Sequence, residues 1–332
     1  MGQSKSTACI KTHFVSKKLT STSYGQINVF KTDSNLYTAE KSINFSVISE
    51  YNNIIMILQK ELLIAEPHIL KFLYFSVFEE KTFCSNFYSI NIYMPYYMNL
   101  DIYLNNGGIS LLRETDYYSI IYSVIYALDV FKTNTIDFQN ICLENIMISQ
   151  KNFCEILNLL FLHDNSSSCE EMRSTTTRSE KSKIYLPPAL LYSNKEGTNH
   201  PVHTREKNNV FSLAMLMLNI FIKSQKNTNF LQIYDFIENK IIWKNLSEIV
   251  DQIERIFSSE LAQLLEDMLQ ENEKERIGYE ELKNFFRVKK FIPTPLPYPR
   301  ENFHQEFYET GFLEDKKKLL NKEVADVLKI DD

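Results

Sequence analysis

Glycine is scarce in this chain, with 7 residues among 332. Loops that hold phosphate groups use glycine because it lets the backbone come close to the ligand. The chain therefore offers few positions for such a loop. A surplus of positive charge is also missing, since the formal net charge is -6. Nucleic-acid-binding proteins usually carry a basic surplus, so no nucleic-acid partner is expected.

Paired cysteines and long apolar runs are missing as well. The five cysteines are scattered, odd in number and without a CxxC pair. This pattern favours reduced thiols in a cytoplasmic protein and argues against a structural zinc site. The longest apolar candidate, residues 210–222, is interrupted by Ser212 and Asn219. It predicts a buried helix rather than a membrane span.

The first residues fit a lipidation pattern. The chain begins Met1-Gly2-Gln3-Ser4-Lys5-Ser6, which matches M-G-x-x-x-[ST] and predicts myristoylation of Gly2. Residues 1–18 hold four lysines and no acid, and Cys9 is placed for palmitoylation. One acyl chain binds membranes only marginally, but a second signal makes the anchor stable. We expect a basic acylated tail on the cytoplasmic membrane face; the alternative is an accidental glycine.

Periodicity divides the rest of the chain into a strand-rich and a helix-rich part. Polar and apolar residues alternate from Leu19 to Ser42 around Gly25, which predicts antiparallel strands. A helical stripe follows at positions 47, 51, 54, 58 and 62, and short strands return over 72–94. Further helices are predicted over 116–131, 208–222, 247–257 and 259–270. Strands first and helices afterwards indicate an α+β chain in two lobes.

Three segments lie outside this pattern. Residues 165–183 are dense in Ser, Thr and charge, which predicts a long exposed loop. Residues 293–299 are Pro-rich, which favours an extended polyproline spacer. Residues 300–332 read as a charged tail with one helix near 315–328.

The first strands carry two motifs of nucleotide-binding enzymes. Residues 19–27 resemble the loop G-x-G-x-x-G-x-V, with only Gly25 kept, Ile27 at the valine position, and Thr20 and Thr22 in place of the first two glycines. Residues 38–41 resemble V-A-I-K and end on Lys41. These are motifs of the protein kinase family. The resemblance implies that Lys41 grips phosphates, while the lost glycines imply weak ATP binding.

A third segment resembles the kinase catalytic loop H-R-D-L-x-x-x-N. In residues 135–148, Phe138 and Gln139 replace the His and Arg, and Asn140 replaces the catalytic Asp. Asn145 matches the metal-ligating asparagine. An amide cannot accept the proton of a substrate hydroxyl as a carboxylate does. The resemblance therefore implies the fold and, at Asn140, a non-functional base position.

The second metal position also carries an amide. Counting 158 − 145 = 13 residues from Asn145 leads to Asn158, where the family has the Asp of D-F-G. Magnesium prefers charged oxygen ligands, so this change implies weak metal binding. An alternative places Asp164 at the metal site, which needs an inserted stretch in the hairpin, and uses Asp137 as the base.

Two further matches concern the nucleotide site. Residues 66–70 resemble the H-P-N-I turn, and Met94 with Tyr96 falls at the inter-lobe hinge, where they would line an adenine slot. The glutamate that pairs with the lysine stays open: Glu50 and Glu61 lie at the ends of the predicted helix, and Asn53 lies nearer the family position.

Later matches show the same loss of acids. Residues 185–191 resemble the A-P-E segment with Ala189 in place of the glutamate, and Arg276 matches that glutamate's usual partner. We expect Arg276 to have found another acid or to reach solvent, since an unpaired buried charge is costly. Residues 209–214 resemble D-x-W-x-x-G, with Asn209 in place of the aspartate.

Together these matches imply a bilobal α+β kinase-like fold over 19–292, with a small β-rich N-lobe over 19–95 and a larger helical C-lobe over 96–292. The first hypothesis is a pseudokinase that acts as a scaffold or allosteric partner of other signalling proteins at a membrane. Its cofactors are none, or ATP and magnesium held weakly. The alternatives are a divergent Ser/Thr kinase and an unrelated interaction module.

Overall fold

In a computed structural model, the chain is described in two compact units. The strand-rich unit takes the described residues of Met1–Ile64 and Lys71–Tyr96, and the larger helical unit takes those of Ala65–Leu70 and Tyr97–Pro299. This confirms an α+β chain with a small strand-rich part and a larger helical part. The described residues are 12–15, 26–32, 37–64, 66–70, 73–81, 86–95, 97–136, 141–148, 154–156, 185–188, 191, 204–225, 230–235, 238 and 240–297.

Five antiparallel strands form the sheet of the strand-rich unit in the order β1-β2-β3-β5-β4. Their bounds are β1 Thr12–Val15, β2 Gln26–Thr32, β3 Tyr37–Phe45, β4 Tyr74–Lys81 and β5 Asn86–Pro95. The first strand corrects the sequence prediction, which placed residues 12–15 in a tail. Four residues are too short a window for alternation to outweigh the surrounding lysines, but the strand gains its partner in β2, with Val15 opposite Val29.

One face of this sheet carries the core of the unit. Side chains alternate across a strand, and the register places Ile43 opposite Ile90 and Phe45 opposite Tyr88, all of them buried. Helix α1, Ile48–Leu63, packs on this face. The ring of Tyr51 on α1 lies 5.1 Å from that of Tyr88 and 6.0 Å from that of Phe45.

The buried side of α1 matches the predicted stripe only in its middle. Tyr51, Ile54 and Leu58 are buried, as the period of 3.6 residues requires. Val47 and Leu62, which continue the stripe in the sequence, are exposed. Sequence periodicity therefore identifies the helix and the buried residues at its centre, but not which side chains of its first and last turns are covered.

The helical unit contains six α-helices and two small sheets among its described residues. The helices are α2 Leu100–Asn105, α3 Glu114–Thr133, α4 Arg205–Ser224, α5 Trp243–Ile256, α6 Ser259–Leu269 and α7 Tyr279–Val288. Strands β6 Met98–Asn99, β7 Ile146–Ile148 and β8 Cys154–Ile156 form one sheet, and β9 Tyr234–Asp235 pairs with β10 Lys240–Ile241. The predicted helices correspond to α3, α4, α5 and α6 with small shifts at their ends, whereas α2 and α7 are additions.

Helix α4 forms the centre of the helical unit. Every residue from 208 to 222 is buried, and charged residues occur only in its first and last turns. A helix that is buried all round must be apolar on every side, which the sequence of α4 satisfies except at its amides and serine. The predicted buried helix is confirmed. Within the described ranges, no helix has the length and apolar character needed to cross a bilayer.

The helical unit continues past the boundary predicted at residue 292. Leu296 is buried, and the backbone N–H of Thr294 donates to Ser119 Oγ on α3 at 3.0 Å. The hydroxyl of Tyr103 on α2 donates to the carbonyl of Pro297 at 2.5 Å. Proline content predicts an extended conformation. Residues 293–297 nevertheless pack on α2 and α3 and are not a free spacer, which proline content alone does not predict.

Candidate functional site

The strand-rich unit brings three of the predicted nucleotide positions onto adjacent strands. Ile27 on β2 lies opposite Lys41 on β3, and Lys41 lies opposite Ile92 on β5. Two residues along, Met94 lies opposite Ala39 and is buried. Strand alternation assigns position 41 to the same face as positions 39 and 43, the face that α1 covers.

The acids of α1 are separated by their position on the helix. Glu61 is buried in the last turn, whereas Glu50 in the first turn is half-buried. Asn53, which lies nearer the family position, is exposed and so points away from the sheet. The middle of the buried side is the aliphatic Ile54. Asn53 therefore does not take the place of the missing glutamate, and Glu61 is the most enclosed acid of this helix.

The opposite face of the sheet holds a polar contact that the sequence does not predict. The hydroxyl of Tyr93 donates to Glu40 Oε1 at 2.8 Å, and the Tyr93 ring stacks on Tyr74 with 4.4 Å between centroids. Burial and the neighbouring Glu40 carboxylate raise the pKa of Tyr93. Glu40 stands beside Lys41 in the sequence, yet it is held on the other face of β3.

Asn145 lies in the helical unit at the end of a 3₁₀ turn, Leu143–Asn145, directly before β7. Its side chain is almost fully enclosed, with 1% relative exposure, and its N–H donates to the carbonyl of Cys142 at 3.1 Å. Leu143 and Ile146 on either side are buried and fix the turn in the core. Burial and the backbone hydrogen bond to Cys142 thus fix the position of Asn145 at the start of β7.

The segment before Asn145 is anchored at both ends. The chain leaves α3 through Thr135, whose φ of 56° turns it sharply, and Ile136 N–H donates to the carbonyl of Phe131 at 2.9 Å. Ile136 and Ile141 are both buried. Residues 137–140 lie between these two anchors in the sequence, and Asn140 comes five residues before Asn145. Asn140 itself lies outside the described residues.

A short hairpin follows the 3₁₀ turn. Ile146 on β7 lies opposite Ile156 on β8, and Ile148 lies opposite Cys154. Five residues, 149–153, connect the strands, so the hairpin closes without an inserted stretch. Asn158 comes two residues after β8 in the sequence, whereas Asp164 comes eight residues after it. Both lie outside the described residues.

The segment that resembles A-P-E packs on α4. Ser212 Oγ donates to the carbonyl of Tyr185 at 2.7 Å, and Asn219 Nδ2 donates to the Tyr185 hydroxyl at 2.5 Å. Pro187 and Pro188 are buried. Ser212 and Asn219, which interrupt the apolar run in the sequence, therefore hold this segment by hydrogen bonds.

Arg276 is not at the surface, and its described partners are backbone carbonyl groups. It is 2% exposed, so the prediction that it reaches solvent is wrong. Its guanidinium donates to the backbone carbonyl of Gln270 from Nε at 2.9 Å and from Nη2 at 2.7 Å. It also donates to the backbone carbonyls of Lys207 at 3.0 Å and Glu271 at 3.3 Å. The same group lies 4.8 Å from the centroid of the Phe211 ring. Burial lowers the pKa of Arg276 to about 10, and the nearby Glu273 offsets part of this.

These contacts replace the acid with a helix end. Gln270 and Glu271 follow the last turn of α6, whose carbonyl groups carry partial negative charge. A planar guanidinium has several N–H donors. It can therefore bind several carbonyl oxygens at once instead of one carboxylate. Among the described residues, Arg276 forms no ion pair within 4 Å, and carbonyl oxygens stand there in place of the expected acid.

Glu206, near Arg276, makes contacts that the sequence does not predict. Glu206 in the first turn of α4 accepts from the Tyr279 N–H at 2.6 Å and from Lys132 Nζ at 2.5 Å. A Cβ on Gly278 would overlap the Glu206 carboxylate, so a larger residue there would force that carboxylate to move. Asn209, one turn further along α4, donates to the Tyr279 hydroxyl at 3.1 Å. The one signal in the sequence is a glycine directly before a helix start.

The remaining predicted site residues lie outside the described residues. They are Gly2, Cys9, Gly25, Tyr96, Asn140 and Asn158. Side-chain geometry at Ile27 and Lys41 is likewise outside the description. Across the described ranges, three or more His, Cys, Asp and Glu side chains do not gather anywhere as a metal-binding group.

A family model of the protein kinase domain matches residues 15–286, which is most of the chain. The chain therefore belongs to the protein kinase domain family. A comparison with curated proteins gives no significant match. The matched range begins within β1 and ends within α7, so it includes both units.

Proposed function

We propose that this protein is a pseudokinase, a kinase-fold protein that does not transfer phosphate. The observation that carries the proposal is the amide of Asn140 at the base position. Asn140 comes directly before buried Ile141 and five residues before buried Asn145, and this spacing supports its assignment to the base position. A neutral amide lacks the basicity to take the proton of a substrate hydroxyl. Asp137 stands earlier in this segment, next to Ile136.

The donor set at the metal position supports the same reading. Asn145 and Asn158 would offer magnesium two amide oxygens and no carboxylate, which fits a hard dication poorly. Strands β7 and β8 pair directly, and Asn158 follows β8 by two residues whereas Asp164 follows it by eight, which supports Asn158 at the metal position. Phosphoryl transfer depends on neutralising phosphate charge, so losing the carboxylates weakens both binding and chemistry.

The test is thermal unfolding of the full chain with ATP, with and without magnesium, beside an assay for γ-phosphate transfer to protein. We expect no magnesium-dependent rise in Tm and no transfer. A ligand present at about 100 times its Kd would stabilise the fold by about 2.7 kcal/mol, so useful binding is readily seen. The double variant Asn140→Asp with Asn158→Asp is the matched control, in which magnesium-dependent binding should appear.

Two outcomes would contradict the proposal. One is transfer by the wild-type chain that Asp164→Asn abolishes, which would establish a divergent Ser/Thr kinase with a displaced metal ligand. The other is transfer that Asp137→Asn abolishes, which would establish a displaced base. In each case Asn140→Ala should leave activity unchanged.

We further propose that the protein acts at the cytoplasmic face of a membrane, as a scaffold or allosteric partner of other signalling proteins. Support comes from the sequence pattern at Gly2, the nearby Cys9 and the four lysines of residues 1–18. Metabolic labelling with a myristate analogue should mark the wild-type chain and leave Gly2→Ala unmarked. Cys9→Ser should keep the label but reduce retention on membranes. Equal membrane retention of Gly2→Ala would contradict the anchor.

A further inference from the structure

Helix α1 has a second apolar side that the sheet does not cover. Ile48, Met56, Leu62 and Leu63 are 52%, 56%, 43% and 85% exposed. Ile55 lies half-buried among them. Large apolar side chains on one side of a helix form an exposed patch, and such patches usually mark interaction sites.

The spacing on this side follows a coiled-coil pattern. Ile48, Asn52, Ile55, Gln59 and Leu62 are separated by four, three, four and three residues, the spacing of a helix-packing seam, and Met56 and Leu63 lie beside it. The charged residues of α1, namely Glu50, Lys60 and Glu61, fall outside this seam. Two identical surfaces can therefore meet along it without opposing like charges.

The exposed side of α1 is also nearly symmetric about its midpoint between Ile55 and Met56. Ile48 and Leu63 lie at equal distances from that midpoint, and so do Asn52 and Gln59. A second α1 running antiparallel would place Leu63 of the second copy near Ile48 and its Gln59 near Asn52. Both apolar ends then meet apolar ends, and the amides meet amides, which can donate and accept to one another.

We propose that α1 is a homodimer interface in which two copies of this chain pack their α1 helices antiparallel about a two-fold axis. A symmetric dimer needs a self-complementary surface, which this side of α1 provides. A different protein partner would have no need of this symmetry. The apolar area is on the order of 1,000 Å² for both copies, at the low end for a specific interface, so the dimer should form reversibly with concentration.

Sedimentation of the full chain over a range of concentrations tests the proposal. We expect a monomer–dimer equilibrium with dimer evident at about 100 μM. Leu63→Glu and Met56→Glu should each weaken dimerisation at least about tenfold, because a charge is buried at a two-fold contact. The matched control is Phe78→Glu, which changes a side chain with 53% exposure on the outer face of the sheet. It should leave the equilibrium unchanged.

Cross-linking fixes the direction of the helices. The double variant Asn52→Cys with Gln59→Cys should give a disulfide-linked dimer on mild oxidation, well above the background of the wild-type chain. Either single variant should stay near that background. A chain that remains monomeric at about 100 μM would overturn the proposal. So would a dimer that Leu63→Glu leaves intact, or efficient cross-linking by Asn52→Cys alone, which indicates parallel helices.

Discussion

Replacing Arg276 tests how the helical unit compensates for an acid that the sequence lacks. The guanidinium is buried, packs on Phe211 and donates four hydrogen bonds to carbonyl oxygens. In Arg276→Met the apolar stem can still pack on the ring, but the carbonyls of Gln270 and Glu271 lose their donors. In Arg276→Lys a single ammonium replaces the fork and cannot reach every oxygen.

The expected loss follows from these contacts. A hydrogen bond that involves a charged group contributes about 1.5–3 kcal/mol, but bonds from one group are not additive. Burial of the cation itself is costly, as its lowered pKa indicates, and removing it recovers part of that cost. We expect Arg276→Met to reduce the free energy of unfolding by about 3 kcal/mol and Arg276→Lys by about 2 kcal/mol.

Urea unfolding at neutral pH measures both values. With an m-value of about 3 kcal/mol/M, Arg276→Met should lower the midpoint by about 1 M. Arg255→Ala, which removes an exposed arginine in the last turn of α5, is the control and should change the midpoint little. Ala189→Glu should give no gain, since the carbonyl oxygens already engage the guanidinium. A midpoint of Arg276→Met equal to wild type, or clear stabilisation by Ala189→Glu, would refute this account of the arginine.

Two other predictions concern the same unit. Gly278→Ala should destabilise the fold by about 2 kcal/mol, because its Cβ displaces the Glu206 carboxylate from Tyr279 N–H, and this cost should largely vanish in a Glu206→Ala background. Equal costs in both backgrounds would show that the overlap is not the cause. Burial raises the pKa of Tyr122 to about 12 and also raises that of Tyr117, so the unfolded state releases these protons first, near pH 10. The contribution of these tyrosines to the free energy of unfolding is therefore complete below pH 10 and is lost as the pH rises above 10. Urea midpoints at pH 8 and 10.5 should differ less in Tyr122→Phe than in wild type, and an unchanged difference would contradict it.

The sequence predicts the long elements because their periodicity spans several turns. The stripe at Tyr51, Ile54 and Leu58 locates α1, and the unbroken apolar run locates α4. Short or non-local features need information that periodicity lacks. Thr12–Val15 becomes a strand through pairing with β2, and residues 293–297 pack through single bonds to Tyr103 and Ser119.

The candidate site also has one part that the sequence predicts and one part that it does not. Asn145 is meaningful in the sequence only within its motif, and the structure adds that it is enclosed and follows a 3₁₀ turn. The surroundings of Arg276 could not be predicted, because carbonyl groups belong to every residue and leave no mark in the sequence. A missing carboxylate partner suggests a new acid, whereas the backbone at the end of α6 supplies the acceptors instead.

The burial of residues 208–222 of α4 also determines how slowly their backbone amides exchange hydrogen with solvent. These amide hydrogens can meet solvent only when the surrounding helices separate, so they should exchange on the timescale of global unfolding. The edge strand β1, paired along one side in its sheet, needs only local opening to exchange. A ligand or partner that stabilises the whole fold would slow exchange in α4, and one that acts locally would leave it untouched. Helix α4 is therefore an internal reporter that separates global from local effects of any binding event.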